Sequence, residues 1–136
     1  EKLVPKSVKY LSLGRKIPLH DDGSPVRNWL HASDTSSAIM TLIDSKAVTG
    51  TYNICGGFEQ QNIDTVKKII ELFDDSCHPD SDDYKSYIDF SCSRQGQDVR
   101  YAISDAKLRA LGWKPEANFD DKLVDIVEHY RSNFVW

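Results

Sequence analysis

At 136 residues, 40% hydrophobic and 28% charged, the chain has the balance of a folded globular domain. It is long enough for one core but short for an enzyme that must hold both a dinucleotide and a second large substrate. A net charge of −4, with no basic run longer than Lys67-Lys68, argues against a nucleic-acid partner. Apolar runs of only a few residues, far below the roughly 20 that span a bilayer, and the lack of a basic-then-apolar leader point to a cytoplasmic protein with no membrane partner.

Cys55, Cys77 and Cys92 are odd in number and widely spaced, which suits reduced thiols rather than a disulfide framework or a zinc site. The chain begins Glu1-Lys2-Leu3-Val4-Pro5 without Met and runs straight into a helical pattern, so we expect a piece of something longer. Val4, Val8 and Leu11 predict a helix over 3–13, ended by Gly14. Ile17-Pro18-Leu19 reads as extended, and the cluster Asp21-Asp22-Gly23-Ser24-Pro25 as a hairpin-like bend.

Val26 to His31 has strand character, and Ser33 or Asp34 can cap a following helix with Ala38, Ile39, Leu42 and Ile43 on its apolar face. Thr51 to Cys55 reads as a strand ended by Gly56-Gly57. Asn62 then stands as N-cap to a helix carrying Ile63, Val66, Ile70 and Phe73. Ser76 to Lys85, with Asp80, Asp82 and Asp83, reads as a solvated acidic loop that lacks the regular ligand spacing of a calcium site. Strands are expected at Tyr87 to Ser91 and Arg100 to Ile103. Ser104 should cap a short helix through Leu111 that Gly112 closes, with Trp113 packing back, and a last amphipathic helix covers Asp120 to Phe134.

A site for a phosphate-bearing ligand wants arginine forks and amide side chains. Arg27 and Arg94 lie at strand ends where ligand sites form, although a surface ion pair would also explain either. Asn62 is explained by capping, and a cap can still touch an anion. His20, His31, His78 and His129 show no metal spacing, and no catalytic residue is assigned. There is no G-x-G-x-x-G or Walker-type stretch, so the chain is not expected to hold a dinucleotide by itself.

In order along the chain, Glu1-Lys2-Leu3-Val4-Pro5, then Ile17-Pro18-Leu19-His20 with Gly23 and Val26-Arg27-Asn28-Trp29-Leu30, then Thr51 to Gly57 with Glu59 and Asn62 form a series of motifs. Ser93-Arg94-Gln95-Gly96-Gln97-Asp98-Val99-Arg100-Tyr101-Ala102-Ile103 and Leu111-Gly112-Trp113-Lys114-Pro115 complete it. The series resembles the second half of the extended short-chain dehydrogenase/reductase family, most closely its dTDP-glucose 4,6-dehydratase branch. His20 stands where that branch usually has Tyr, Cys55 where it has Gly, and Gln95 and Gln97 where it has Pro and His.

The resemblance implies an α/β fold: the C-terminal substrate-binding portion of an extended Rossmann enzyme over residues 1–136, a small sheet with about five helices, the cofactor half absent. The strand and helix over 26–46 would pack on that missing Rossmann half, leaving an apolar face uncovered here and the chain marginal or self-associating. It also implies substrate contacts from Glu1, Lys2, Leu3, Pro18, His20, Arg27, Asn62, Arg94, Gln97 and Tyr101. The intact enzyme would be a homodimer that binds NAD through its other half and converts dTDP-glucose to a 4-keto-6-deoxy sugar. A UDP-sugar epimerase or decarboxylase, and a stand-alone nucleotide-sugar-binding domain, are the alternatives.

Overall fold

The computed structural model describes residues 2–45, 49–77 and 81–133. Its elements follow the order α1 (Leu3–Ser12), β1 (Ile17–Pro18), β2 (Val26–Trp29), α2 (Ala32–Asp44), β3 (Phe58–Gln61), α3 (Asn62–Phe73), a 3-10 helix (Asp82–Tyr87), β4 (Ile88–Asp89), α4 (Ala106–Arg109) and α5 (Phe119–Ser132).

Helical spacing on α1 puts Val4, Val8 and Leu11 on one buried stripe, with the Ser7 hydroxyl donating to the Leu3 carbonyl at 2.8 Å. α3 brings Val66, Ile69 and Ile70 and α5 brings Leu123 and Val127 to the same core. α5 starts at Asn118, whose carboxamide oxygen accepts from the Asp120 and Asp121 amides at 2.9 and 3.1 Å. Each fully buried Ile or Val contributes about 1.5–3 kcal/mol. Apart from Ile17 and Ile88 the strands add little to this set, so three helices carry most of the stability.

Among the described residues the strands form two separate pairs. β1 runs parallel to β4 with Ile17 opposite Ile88, and β2 runs antiparallel to β3 with Val26 opposite Gln61 and Trp29 opposite Phe58. The bend after β1 is therefore no hairpin. Gly23, at φ +78°, presses against α3, where a Cβ would meet Leu19 Cδ2 at 2.5 Å and Ile63 Cβ at 2.8 Å. The turn's backbone bonds go the same way, from Asn62 N to the Pro25 carbonyl and from Ile63 N to the Gly23 carbonyl.

Other boundaries shift for identifiable reasons. β2 stops at Trp29, and His31, rather than Ser33 or Asp34, caps α2 through its Nδ1, which accepts from Ser33 N at 3.2 Å. Asp34 is buried instead, accepting from Glu116 N at 3.0 Å and Ala117 N at 3.2 Å, and so ties α2 to the approach to α5. Thr51 to Cys55 joins no ladder, because side chains hold it: Asn53 Nδ2 donates to the Ser104 carbonyl and Lys107 Nζ to the Thr51 carbonyl. The strand lies further on, at β3, which has only one aromatic and three polar residues to announce it.

Within the expected acidic loop a 3-10 helix forms, because Ser81 Oγ caps Asp83 N and Lys85 pairs with Asp82. Residues 78–80 of that loop, and Phe134 at the end of the last helix, lie outside the described residues. The strand expected over 87–91 shrinks to β4, since Tyr87 closes the 3-10 helix. Arg100 to Ile103 makes one bridge, Val26 to Arg100, and no strand. α4 is a single turn starting after Asp105, with Ser104 Oγ accepting from Ala106 N. Trp113 does pack back, buried with Ala38 and Leu108 and donating Nε1 to Ser37 Oγ at 2.9 Å.

Candidate functional site

A cleft of about 700 Å³ opens where α1, β1, β2, the start of α3, α5 and the 91–104 segment converge. Lys2, Leu3 and Lys6 come from the first turns of α1, Pro18 and His20 from β1 and its exit, Arg27, Asn28 and Trp29 from β2, Asn62 from α3, and Ile126 and Tyr130 from α5. Arg94, Gln97 and Tyr101 reach the cleft from the 91–104 segment. All of the expected substrate-contact residues that are described line this one cleft; Glu1 lies outside the described residues.

Charge is distributed unevenly. Lys2, Lys6, Arg27 and Arg94 face the cleft, and no Asp or Glu is among its described lining residues, although the chain as a whole carries −4. Among the described residues the ion pairs are Lys68–Asp120, Lys85–Asp82, Arg100–Glu59, Arg109–Asp105 and Lys122–Asp125, so none of the cleft cations is neutralised by one. The surface ion pair that would have explained Arg27 or Arg94 is therefore absent among the described residues.

Arg27 is nevertheless held in place. Its Nη1 donates to the Val26 carbonyl at 2.7 Å and the Asp98 carbonyl at 3.1 Å, and its guanidinium lies 4.2 Å from the Tyr101 ring centroid. Those bonds use one nitrogen of the fork and leave Nε and Nη2 available to an anion. Asn28 is fixed through its Oδ1, which accepts from Gly56 N at 3.1 Å. A Cβ at Gly56 would come within 2.1 Å of the Trp29 carbonyl oxygen, so the 51–57 segment can lie on β2 only with glycine there.

The capping role expected of Asn62 falls to Gln61, which occupies the N-cap position without a side-chain bond; Asn62 is the first helical residue. Its carboxamide makes no hydrogen bond among the described residues and lines the cleft at the N-terminal end of α3, where partial positive charge favours anions. Two ring nitrogens at the cleft wall, His20 Nδ1 and Trp29 Nε1, are buried without a hydrogen-bond partner among the described residues. Buried polar atoms are nearly always paired, so these two mark a polar demand that the chain's own residues leave unmet.

Sequence reasoning overlooked Lys6, Asn28, Trp29 and Tyr130. Lys6 was legible, since it stands one helical turn after Lys2 on the same face. Asn28 and Trp29 lie in the motif already singled out, whereas Tyr130 looked like a core residue of the last helix.

Among the described residues no glycine-rich turn carries a strand into a helix: β2 reaches α2 through Leu30 and His31, and β3 passes directly into α3. Such residues do not fit the pyrophosphate of a dinucleotide cofactor, which sits on a glycine turn at a helix N-terminus. Nor does any group of three or more His, Cys, Asp and Glu side chains among the described residues offer a metal site. No described helix is long and apolar enough to cross a membrane.

The chain belongs to the GDP-mannose 4,6-dehydratase family, whose model matches residues 1–126. It is similar to dTDP-glucose 4,6-dehydratase 1 of Escherichia coli K12, with 37% identity covering 100% of this chain and 38% of that protein. The structure of a Bacillus anthracis dTDP-glucose 4,6-dehydratase in complex with NAD superimposes with a TM-score of 0.83 at 34% identity, over 99% of this chain and 40% of that one. A Streptomyces venezuelae dTDP-glucose 4,6-dehydratase with NAD and TYD bound gives 0.83 at 30% identity, over 97% and 39%. The α/β fold is thus the expected one, and the chain spans 38–40% of the length of these relatives.

Proposed function

We propose that this chain is the nucleotide-sugar-binding part of a dTDP-glucose 4,6-dehydratase. The observation that carries the reading is the concentration of four cations without carboxylate partners among the described residues on one cleft of a net-acidic chain. A nucleoside diphosphate supplies the matching charge and a base to lie against aromatic rings. Arg27 and Arg94 take the diphosphate, Lys2 adds charge beside it, and Asn62 orients the nucleotide. Leu3, Pro18, His20, Gln97 and Tyr101 line the remaining wall, together with Glu1.

In the intact protein the product would be a 4-keto-6-deoxy sugar, formed with NAD. This chain's residues do not fit that cofactor, and we place its binding and the catalytic groups in a Rossmann half that the chain does not contain. Exposed apolar side chains on α2 support docking of 26–46 on that half: Ile39, Met40 and Ile43 are 47, 54 and 67% exposed. Self-association of the isolated chain would follow, and a monomeric, cooperative thermal melt would contradict it. The unpaired thiols of Cys55, Cys77 and Cys92 support a reducing, cytoplasmic setting.

Titration calorimetry of the chain with dTDP and with UDP, at low salt and again with added salt, tests the binding reading. Millimolar or tighter binding that weakens with salt is expected, because exposed charge contacts are screened. A folded chain that binds neither, or binds both equally at either salt, rejects it.

A further inference from the structure

The 91–104 segment forms no helix or strand, and from Ser93 to Ser104 every residue is exposed except the half-buried Gln97. None of its apolar side chains is buried: Val99, Tyr101 and Ile103 are 75, 53 and 56% exposed. Yet this arm delivers Arg94 and Gln97 to the cleft. Directional contacts must therefore set where those side chains stand.

Three such contacts fall on consecutive residues. The Asp98 carbonyl accepts from Arg27 Nη1 at 3.1 Å, the Val99 carbonyl accepts from Val26 N at 2.8 Å, and Arg100 forks onto Glu59, Nε to Oε2 at 2.8 Å and Nη2 to Oε1 at 3.1 Å. The first two engage backbone carbonyls, which any residue would offer. The first shares its guanidinium with the ligand, which would take the remaining Nε and Nη2. The fork is the one charged two-point tie of the arm among the described residues, and neither Glu59 nor Arg100 lines the cleft. Glu59 stands opposite Asn28 in the β2–β3 ladder and three residues before Asn62, so the tie anchors the arm to the strand pair that already carries the cleft residues Arg27, Asn28 and Trp29.

We propose that Glu59 is a positioning residue for nucleoside-diphosphate binding: through its paired bonds to Arg100 it straps the arm so that Arg94 and Gln97 stand at the cleft. This rests on the binding reading above and adds to it a residue that touches no ligand. Paired, coplanar bonds between guanidinium and carboxylate fix direction as well as distance, which a single lysine contact would not do. Because the arm lies outside the helical core, losing the strap should loosen the arm without melting the domain.

The test compares the wild-type chain with Glu59→Gln and with the exchanged pair Glu59→Arg/Arg100→Glu, by dTDP calorimetry, amide hydrogen exchange and thermal unfolding. For Glu59→Gln we expect dTDP affinity to fall about 3- to 10-fold, the scale of one charge-assisted contact. Exchange at the amides of 94–101 should quicken, and the unfolding midpoint should stay within about 2 °C. The exchanged pair should recover most of the affinity and protection. Unchanged affinity and exchange in Glu59→Gln overturns the proposal, as does a loss that tracks a lower midpoint and is not recovered by exchanging the charges. A wild-type chain that binds no dTDP overturns the binding reading itself, and the exchange data then report separately on the strap.

Discussion

The helical floor and the 91–104 arm meet at one cleft but are held by different forces. Val8, Val66, Ile69 and Ile70 are fully buried between α1, α3 and α5, whereas the arm has a two-point ion pair, four carbonyl contacts at Cys92, Asp98, Val99 and Ser104, and a guanidinium over a ring. Burial is non-directional and cooperative, so the floor rises or falls as a unit. Polar contacts are directional and individually weak, so the arm can loosen while the floor stands. A site built this way has half of its cations, Lys2 and Lys6, on the helix that packs the core and half on elements that polar bonds locate.

The largest break in that contrast should come from the floor. Ile70→Ala removes a side chain with no exposure and is expected to cost about 2–5 kcal/mol in urea unfolding, while whatever remains folded binds dTDP as before. Gly56→Ala sets the two regimes against each other, because its Cβ would meet backbone at Trp29 rather than a movable side chain. A cost of about 1–3 kcal/mol is expected in the same assay, together with weaker dTDP binding as β2 shifts under Arg27 and Asn28.

Arg94→Ala should do the opposite of Ile70→Ala. It is expected to remove about 1–3 kcal/mol of dTDP binding by calorimetry with no change in unfolding midpoint. The smallest effect is one of pH. Hydrogen bonds from Ser76 and then Tyr87 hold the Asp74 carboxyl below its ordinary 3.8. A carboxyl depressed in the folded state adds stability above its unfolded value and loses it as pH falls through the folded one. Unfolding stability should therefore decline slightly more steeply below pH 4 in the wild type than in Asp74→Asn, with no difference in pH slope near pH 7.

The same division explains what could be read from the sequence. Helix spacing of Val4, Val8 and Leu11, and of Ile63, Val66 and Ile70, is a 3.6-residue signal that burial then obeys, so α1 and α3 were legible to within a residue or two. Strands of two to four residues carry no comparable period. β3 is Phe-Glu-Gln-Gln, and the 51–57 segment that leads to it is held by side-chain bonds of Asn28 in β2 and of Asn53, which act across distances a window along the chain does not see. Arg27 and Arg94 were found by residue type and motif. That Asn62 is helical rather than capping, and that Glu59 ties Arg100, needed the fold, because 41 residues separate that pair.

A titration of the isotope-labelled chain with dTDP, followed by NMR, tests most directly whether floor and arm form one nucleotide site. The side-chain signals of Arg27, Asn62, Arg94 and Gln97 should shift together along one saturating curve, with Lys2 and Lys6 moving on the same curve. Shifts confined to the apolar pocket beside the cleft, around Phe58, Pro115 and Phe119, would contradict it, as would no shifts at millimolar dTDP.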